Sequence, residues 1–213
     1  MDSLKNNHDD EMNNKNFSEN NLKWDFILNG YVGGTFKASN LSNGFHGILK
    51  QWWEYYSKND VNKVLLVSEN NKVKKELGDL YNNWDITTLD LYYELTDSEP
   101  DIIADICSYN LIKEHNLENK YDLIINQAIL EHVYNPFESM MNMSKSLKIG
   151  GHLITHTHAQ NMTYHSYPSD YIRFMIDWWY DLPKYIENIK LIEFYQDDKD
   201  INVFSCYEKY KNG

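Results

Sequence analysis

Short apolar segments alternate with amphipathic ones from residue 63 to the end of the chain. Runs such as KVLLV and YDLIIN are short, apolar and rich in branched side chains, which is typical of buried strands. The segment that follows KVLLV places Val73, Leu77 and Leu80 at helical spacing. The pattern predicts helices at 70–81 and 136–147, a glycine turn at 150–151, and five strands at 63–67, 85–90, 101–106, 121–126 and 152–157.

The C-terminal part of the chain predicts a helix at 173–187 followed by a hairpin. Segments 189–196 and 201–210 read as strands, and Asp-Asp-Lys-Asp between them is a turn signal. Strands that alternate with helices form a parallel, doubly wound sheet. We therefore predict an α/β fold, a Rossmann-like doubly wound sheet that is mostly parallel and carries an antiparallel C-terminal hairpin.

The N-terminal part differs in composition from this alternating region. Residues 1–20 are rich in Asn and nearly free of aliphatic side chains, which predicts a disordered tail. Residues 21–60 form a separate segment whose amphipathic helix carries Trp52 and Trp53. We expect this segment either to cap a ligand pocket or simply to pack against the sheet, and residues 61–213 to form the α/β domain.

Composition and charge narrow the class of partner. The 213 residues suffice for one sizeable core. A net charge of −12 argues against a nucleic-acid backbone or an anionic membrane as partner, because both attract clustered Lys and Arg. The N-terminus lacks the apolar core of a signal peptide and no run reaches membrane-spanning length, so we expect a cytoplasmic protein. Cys107 and Cys206 have no metal-binding or redox spacing and are expected to be reduced thiols.

The segment KYDLIINQAILEHVYNPFESMMNMSKSLKIGGHLITHTH, residues 120–158, carries three marks in a fixed order. Tyr-Asp precedes the fourth strand, Leu-Glu-His-Val follows it, and Leu-Lys-Ile-Gly-Gly precedes the fifth. In this order they resemble the corresponding segment of class I S-adenosylmethionine-dependent methyltransferases. The stretch HSYPSDYIRF, residues 165–174, is similar to an element of one small bacterial branch that is associated with capsule and surface-glycan building. The resemblance covers roughly residues 60–210.

The resemblance implies S-adenosylmethionine as cofactor, bound at the carboxyl ends of the strands. The superfamily normally follows its first strand with a glycine-rich turn, but this chain has Ser68, Glu69 and Asn70 there. Serine is small and asparagine tolerates left-handed backbone geometry, so a similar turn can still form. The resemblance also implies that Asp105 accepts from the adenine amino group and that Ile106 offers its backbone N–H to the ring.

Asp90 ends the second predicted strand, at a spacing that suggests a nucleotide site. An acid on the order of 20 residues after the first strand meets ribose hydroxyls in nucleotide-binding βαβ units. The alternative for Asp90, as for Asp105, is a cap or turn acid. The resemblance favours the ribose role, with Leu91 packing on the adenosine. It also places Asn126 and Gln127 at the methionine end of the cofactor.

Polar residues beyond the fourth and fifth strands predict a pocket for a methyl acceptor. The pKa of histidine suits a general base for a hydroxyl nucleophile, and the planar fork of arginine suits a phosphate or carboxylate. Asp170 and Arg173 could instead form an i,i+3 ion pair that only holds the loop. We expect catalytic roles for His156, His165 and Asp170, and substrate contacts for His132, His158, Tyr167, Tyr171 and Arg173.

The histidines also raise the alternative of a zinc site in a metal-dependent hydrolase. His152, His156 and His158 have equal parity in the fifth strand, but its ends would lie roughly 20 Å apart, too far for one ion. Only His156, His158, His165 and Asp170 could converge, and no compact ligand motif is present. We therefore expect no metal.

The activity expected from the sequence is transfer of a methyl group from S-adenosylmethionine to an oxygen, or alternatively a nitrogen, of a small polar metabolite. The bacterial branch that the chain resembles suggests a nucleotide-linked or phosphorylated precursor of a capsule or surface glycan. The alternative is a methyltransferase fold that has lost catalysis and acts as a binding or scaffold protein. The oligomeric state is left open.

Overall fold

The described part of the protein comprises residues 47–57, 61–91, 98–165 and 169–211 of a computed structural model. The helices are α1 Gly47–Tyr56, α2 Asn71–Leu80, α3 Leu111–Glu114, α4 Pro136–Ser146 and α5 Ile176–Asp181, with a 3-10 turn at Leu182–Lys184. The strands are β1 Lys63–Val67, β2 Asp85–Asp90, β3 Ile102–Ile103, β4 Tyr121–Gln127, β5 Leu147–His158, β6 Ile189–Gln196 and β7 Asn202–Lys209.

The seven strands form one sheet in the order β3-β2-β1-β4-β5-β7-β6. Neighbouring strands from β3 to β5 pair in parallel, whereas β7 runs antiparallel to both β5 and β6. The predicted α/β sheet with an antiparallel C-terminal hairpin is therefore confirmed. The strand order reverses between β1 and β4, and the carboxyl ends at such a reversal are where open α/β sheets bind ligands.

The central strands are buried, as their apolar sequences require. Four of the five residues of β1 are buried, and Met140 and Met143 of α4 belong to the same core. On α1, Trp52 contacts Phe204 of β7 edge-on, with ring centroids 6.4 Å apart. The indole N–H of Trp53 donates to the Tyr81 hydroxyl at 2.9 Å.

In the segment 21–60, the structure describes α1 and Ser57, and α1 packs against β7. Whether the segment also caps a pocket stays a prediction. Residues 21–46 and 58–60 of that segment and the tail 1–20 lie outside the described residues. None of the helices in the described ranges is both long and apolar enough to span a bilayer.

Two predicted elements are shorter in the structure. The third strand was expected at 101–106 but contains only Ile102–Ile103. At its start, Asp101 accepts from the backbone N–H of Thr88 at 2.9 Å and pairs with Lys74. After it, Asp105 forms a local turn with Cys107. The helix expected at 173–187 covers only α5 and the 3-10 turn. Pro183 lies in that turn, and its missing N–H prevents the helix from continuing.

The predicted glycine turn at 150–151 is a bulge inside β5. Tyr121 of β4 pairs with Leu147 and Leu123 pairs with His152, so β5 accommodates three extra residues between the two pairs. Gly150 has a φ of 80°, a left-handed conformation that favours glycine. A Cβ on Gly151 would lie 2.9 Å from the carbonyl oxygen of Lys148.

The close contact at Gly151 predicts a strong effect of adding one methyl group. Gly151→Ala should lower the free energy of unfolding by about 1–3 kcal/mol, because backbone carbonyls leave no room for the methyl. Gly78→Ala is the matched control, since its Cβ would meet nothing within 4 Å. In α2 that change should raise stability by about 0.5–1 kcal/mol. Urea denaturation of both variants measures the difference, and equal effects would contradict the bulge geometry.

Candidate active site

The turn after β1 has the backbone geometry of a glycine turn without a glycine. Ser68 has a φ of 62°, and its N–H donates to the carbonyl of Leu89 at 2.7 Å. Asn70, by contrast, caps α2, and its side-chain oxygen accepts from the N–H groups of Lys72 at 2.9 Å and Val73 at 3.3 Å. The left-handed residue of this turn is therefore the small Ser68, whereas Asn70, the residue type noted for its tolerance of that geometry, is extended.

Two acids lie at the carboxyl ends of β1 and β2. Asp90 is the last residue of β2, and its side chain accepts from the N–H of Leu91 at 2.7 Å. Leu91 is 41% exposed, so its side chain is accessible to a ligand. Burial raises the pKa of Glu69 to about 8, and the negative charges of Asp90 and Glu76 add to this effect. This end of the sheet therefore offers carboxyl oxygens to hydroxyl donors, and the raised pKa keeps Glu69 protonated at neutral pH.

The residues after β3 form a turn that supports the core. The side chain of Asp105 accepts from the N–H of Cys107 at 2.8 Å, so it makes a local turn and does not cap a helix. Ile106 is buried, and its carbonyl accepts from the amide of Asn142 at 2.8 Å. Asp105 itself is exposed and remains accessible. Burial raises the pKa of the Cys107 thiol to about 11, and both Cys107 and Cys206 are free cysteines.

The tip of β4 leaves a polar side chain in the interior. Asn126 is fully buried, and neither atom of its amide has a hydrogen-bond partner among the described residues. Gln127 is the last residue of β4 and pairs with His156 of β5. The chain then turns sharply at Ala128, which has a φ of 52° and donates its N–H to the carbonyl of His156 at 2.9 Å. An unsatisfied buried amide is costly and suggests a ligand partner.

Beyond this turn, the buried carboxylate of Glu131 gathers three histidines. Its Oε2 accepts from the hydroxyl of Thr157 at 2.5 Å. Its Oε1 lies 3.2 Å from Nε2 of His158, 3.7 Å from Nε2 of His132 and 4.0 Å from Nε2 of His165. We call these four residues the Glu131 cluster. Three of its members were predicted site residues, and the structure brings them together.

The far ring nitrogens of two histidines face hydrogen-bond acceptors. Nδ1 of His132 lies 2.5 Å from the carbonyl of Ser169. Nδ1 of His165 lies 3.4 Å from the carbonyl of Thr163 and 3.5 Å from Asp170. A carbonyl oxygen only accepts, so the contact of His132 favours the tautomer with the proton on Nδ1. Nδ1 of His165 also lies 3.5 Å from Nη2 of Arg173, but that nitrogen already donates to Thr163 and Asp170, so the same tautomer is favoured. Burial lowers the pKa of His158, although the charge of Glu131 opposes this shift.

The loop that carries His165 is held by Arg173, the only arginine in the chain. Its guanidinium donates to both carboxylate oxygens of Asp170. Nε donates to the carbonyl of Met162 at 3.0 Å, and the terminal nitrogens donate to the carbonyls of Ile172 at 2.8 Å and Thr163 at 3.0 Å. All five N–H groups are thus engaged by the protein. These hydrogen bonds hold the pKa of Asp170 well below its usual range, and Asp170 also accepts from the N–H of His165 at 2.8 Å.

The other predicted residues lie around this cluster or outside the described ranges. The ring of His156 lies 5.3 Å from that of His158, but its Nε2 faces the side-chain oxygen of Asn202 at 3.0 Å. Tyr171 is 53% exposed, and its N–H donates to the carbonyl of Glu131 at 2.8 Å. Tyr167 is among the residues that the structure does not describe.

Sequence reasoning did not select Glu131 or Thr157 as site residues. Both are fully buried, and they join the loop after β4 to the end of β5. A charged residue between Leu130 and Val133, directly after a buried strand, was the available signal.

Comparisons with known proteins show which solved structures share the fold. No protein-family model matches the chain, and no curated protein matches it. A solved S-adenosylmethionine-dependent methyltransferase from Archaeoglobus fulgidus is similar with a TM-score of 0.56 at 10% identity, covering 76% of this chain and 92% of that one. Another S-adenosylmethionine-dependent methyltransferase, from Methanosarcina mazei, has a TM-score of 0.57 at 12% identity, and the match covers 76% of this chain and 98% of that one.

A third similar structure contains a bound ligand. The plantazolicin methyltransferase, solved with a triazolic desmethyl analogue and S-adenosylhomocysteine, has a TM-score of 0.57 at 11% identity and covers 77% of this chain and 84% of its own. At these identities the likeness concerns the fold. The chain therefore has the seven-stranded fold of S-adenosylmethionine-dependent methyltransferases.

The raised pKa of Glu69 predicts a pH-dependent effect on stability. The unfolded chain releases the Glu69 proton near its ordinary pKa, whereas the folded chain holds it up to about 8. Wild-type stability therefore falls as pH rises through this interval. Glu69→Gln should remove this loss, so its unfolding temperature should rise relative to wild type between about pH 5 and about pH 8. A constant difference across this range, measured by differential scanning calorimetry, would contradict the shift.

The contacts of Arg173 predict that lysine cannot replace it. Arg173→Lys keeps the charge but loses the planar fork, so the free energy of unfolding should fall by about 1.5–3 kcal/mol. Lys184→Met is the control, because it removes an exposed i,i+3 ion pair with Asp181 and should cause no measurable loss. Urea denaturation tests both, and an unchanged Arg173→Lys variant would show that the loop does not depend on the fork.

Proposed function

We propose that the protein transfers a methyl group from S-adenosylmethionine to an oxygen of a small polar metabolite. The observation that carries the proposal is the pairing of the left-handed Ser68 turn with Asp90 across the carboxyl ends of β1 and β2. The N–H of Ser68 is bonded to Leu89, the residue before Asp90, so the two tips are fixed together. The fold shared with known methyltransferases supports the same conclusion.

The described residues fit this cofactor. Asp90 would accept the ribose hydroxyls, since a carboxylate takes two donors at once. Ser68 and Glu69 would meet the methionine part, where a positively charged group would lower the raised pKa of Glu69 and draw out its proton. The buried, unsatisfied amide of Asn126 would gain partners from a polar ligand. Leu91, Asp105, Ile106, Asn70 and Gln127 complete the proposed cofactor surface.

Methyl transfer to oxygen requires alignment more than elaborate acid–base chemistry. When bound, S-adenosylmethionine supplies a methyl carbon that the acceptor oxygen attacks as the carbon–sulfur bond breaks. The chain must hold the acceptor, exclude water and remove a proton if that oxygen is a hydroxyl. His165 is the best candidate to contact the acceptor, because its side chain is 32% exposed and lies beside Glu131.

The remaining predicted residues divide between contact and support. His132, His158, Tyr167 and Tyr171 are proposed to line the acceptor pocket together with His165. We assign Asp170 and Arg173 to positioning, since both are engaged with each other and with the loop backbone. His156 would support the pocket from β5 through its contact with His158.

A phosphorylated or nucleotide-linked precursor of a capsule or surface glycan is the proposed acceptor, in a cytoplasmic reaction. The support for this finer proposal is the similarity of residues 165–174 to the bacterial element described above. Imidazole groups that converge on one pocket suit an acceptor with acidic oxygens. A nitrogen acceptor is the alternative for the same pocket.

Titration with S-adenosylhomocysteine, the reaction product, tests the cofactor half of the proposal. The wild-type chain should bind one equivalent, and Asp90→Asn should weaken binding by about 10- to 100-fold through the loss of charged hydrogen bonds. Asp85→Asn is the matched control, because Asp85 lies at the opposite, amino end of the same strand and should bind as the wild type does.

Two results of the same titration would contradict the proposal. Absence of binding at millimolar ligand would favour the fold acting as a scaffold without catalysis. Equal affinities of the Asp90→Asn and Asp85→Asn variants would show that the nucleoside lies elsewhere.

A further inference from the structure

Three residues from separate parts of the chain present ligand atoms to one point. Glu131 comes from the loop after β4, His158 ends β5, and His165 belongs to the loop that follows. One ligand atom from each lies within 4.8 Å of the other two. Nitrogen and carboxylate ligands about 2.0–2.2 Å from a tetrahedral ion would lie about 3.4 Å apart. The 3.2 and 4.0 Å separations from Oε1 of Glu131 are close to this spacing.

The contact between Glu131 and His158 is not a hydrogen bond. Although Nε2 of His158 lies 3.2 Å from Oε1, this buried oxygen accepts no hydrogen bond within the described ranges. The other oxygen is satisfied by Thr157. A buried carboxylate oxygen without a donor is costly, and it calls for a positive charge at short range.

The orientation of His165 fits a metal ligand. Its Nδ1 lies 3.4 Å from the carbonyl of Thr163, 3.5 Å from the carboxylate of Asp170 and 3.5 Å from Nη2 of Arg173. A proton on Nδ1, donated to one of the two oxygens, leaves the lone pair of Nε2 on the side of Glu131. Metal-bound histidines commonly donate their second N–H to a carbonyl or carboxylate in this way. Asp170 is fixed by Arg173 in turn, so the orientation is supported by a second layer of contacts.

We propose that Oε1 of Glu131, Nε2 of His158 and Nε2 of His165 bind one divalent transition-metal ion, with Zn²⁺ or Fe²⁺ as the preferred class. Two imidazoles and one carboxylate suit these ions better than Mg²⁺ or Ca²⁺, which prefer oxygen ligands. Three protein ligands leave a coordination position open. Its role rests on the proposed function: the open position would hold the acceptor oxygen near the tips of β4 and β5.

This inference differs from the expectation drawn from the sequence. No metal was expected, because the candidate ligands were taken to be His156, His158, His165 and Asp170. In the structure, Nε2 of His156 faces Asn202 and Asp170 is held by Arg173. Glu131 supplies the carboxylate that this set lacked. The rival explanation is an ion pair between Glu131 and a protonated histidine, with no metal.

Metal binding by the full chain separates these explanations. Protein stripped with chelator is titrated with Co²⁺, followed by its visible absorption, and Zn²⁺ is then added in competition. The proposal predicts one equivalent of Co²⁺ in a low-symmetry nitrogen–oxygen site, displaced by Zn²⁺. His165→Ala should weaken Co²⁺ binding by at least about tenfold, whereas His115→Ala, at the end of α3, should leave it unchanged. Because Glu131 is buried, Glu131→Gln is used only if it folds.

Each outcome decides the metal proposal independently of the cofactor. Loss of Co²⁺ binding in His165→Ala, with S-adenosylhomocysteine affinity retained, supports a metal site in a folded protein. Absence of stoichiometric Co²⁺ and Zn²⁺ binding, or equal binding by both histidine variants, overturns the proposal and leaves the ion pair. Metal binding without S-adenosylhomocysteine binding would keep the metal site and reject the proposed function.

Discussion

The buried carboxylate of Glu131 is the constraint on which the candidate acceptor pocket depends. A fully buried negative charge is tolerated only with hydrogen bonds and positive charge nearby. The side chain of Glu131 meets part of this requirement, because Oε2 accepts from Thr157 and Oε1 lies beside His158 of β5 without accepting a hydrogen bond. Its backbone carbonyl accepts from the N–H of Tyr171, so the residue joins three parts of the chain. The position of the pocket thus follows from one electrostatic requirement placed directly after the β4 tip.

The loop beside this carboxylate is stabilised by a different kind of contact. The planar guanidinium of Arg173 satisfies one carboxylate and three backbone carbonyls at once, which an ammonium cannot do with the same geometry. These contacts connect the two described parts of the loop, 159–165 and 169–175. Its parallel bridge from Phe174 to Ala159 attaches it to the end of β5.

Most of the fold could be predicted because it rests on local patterns. The bounds of β1 and β2 agree with the predicted strands, since their apolar runs are bordered by polar residues. The bulge at Gly150 and Gly151 could not be predicted as part of a strand, because its geometry depends on pairing with β4. At the start of the short β3, Asp101 likewise makes a distant contact with Thr88.

The candidate site was predictable in composition and less so in arrangement. The polar residues at the strand ends were identified because parallel strands bring their carboxyl ends to one edge. Which atoms face each other depends on strand pairing and loop conformation. Nε2 of His156 faces Asn202 of the neighbouring β7, and the loop after β4 places Glu131 at the centre of the cluster. A crystal structure grown with S-adenosylhomocysteine tests the central claim most directly. Our account predicts adenosine density at the carboxyl ends of β1 and β2, with the ribose on Asp90; ligand density at another edge of the sheet would contradict it.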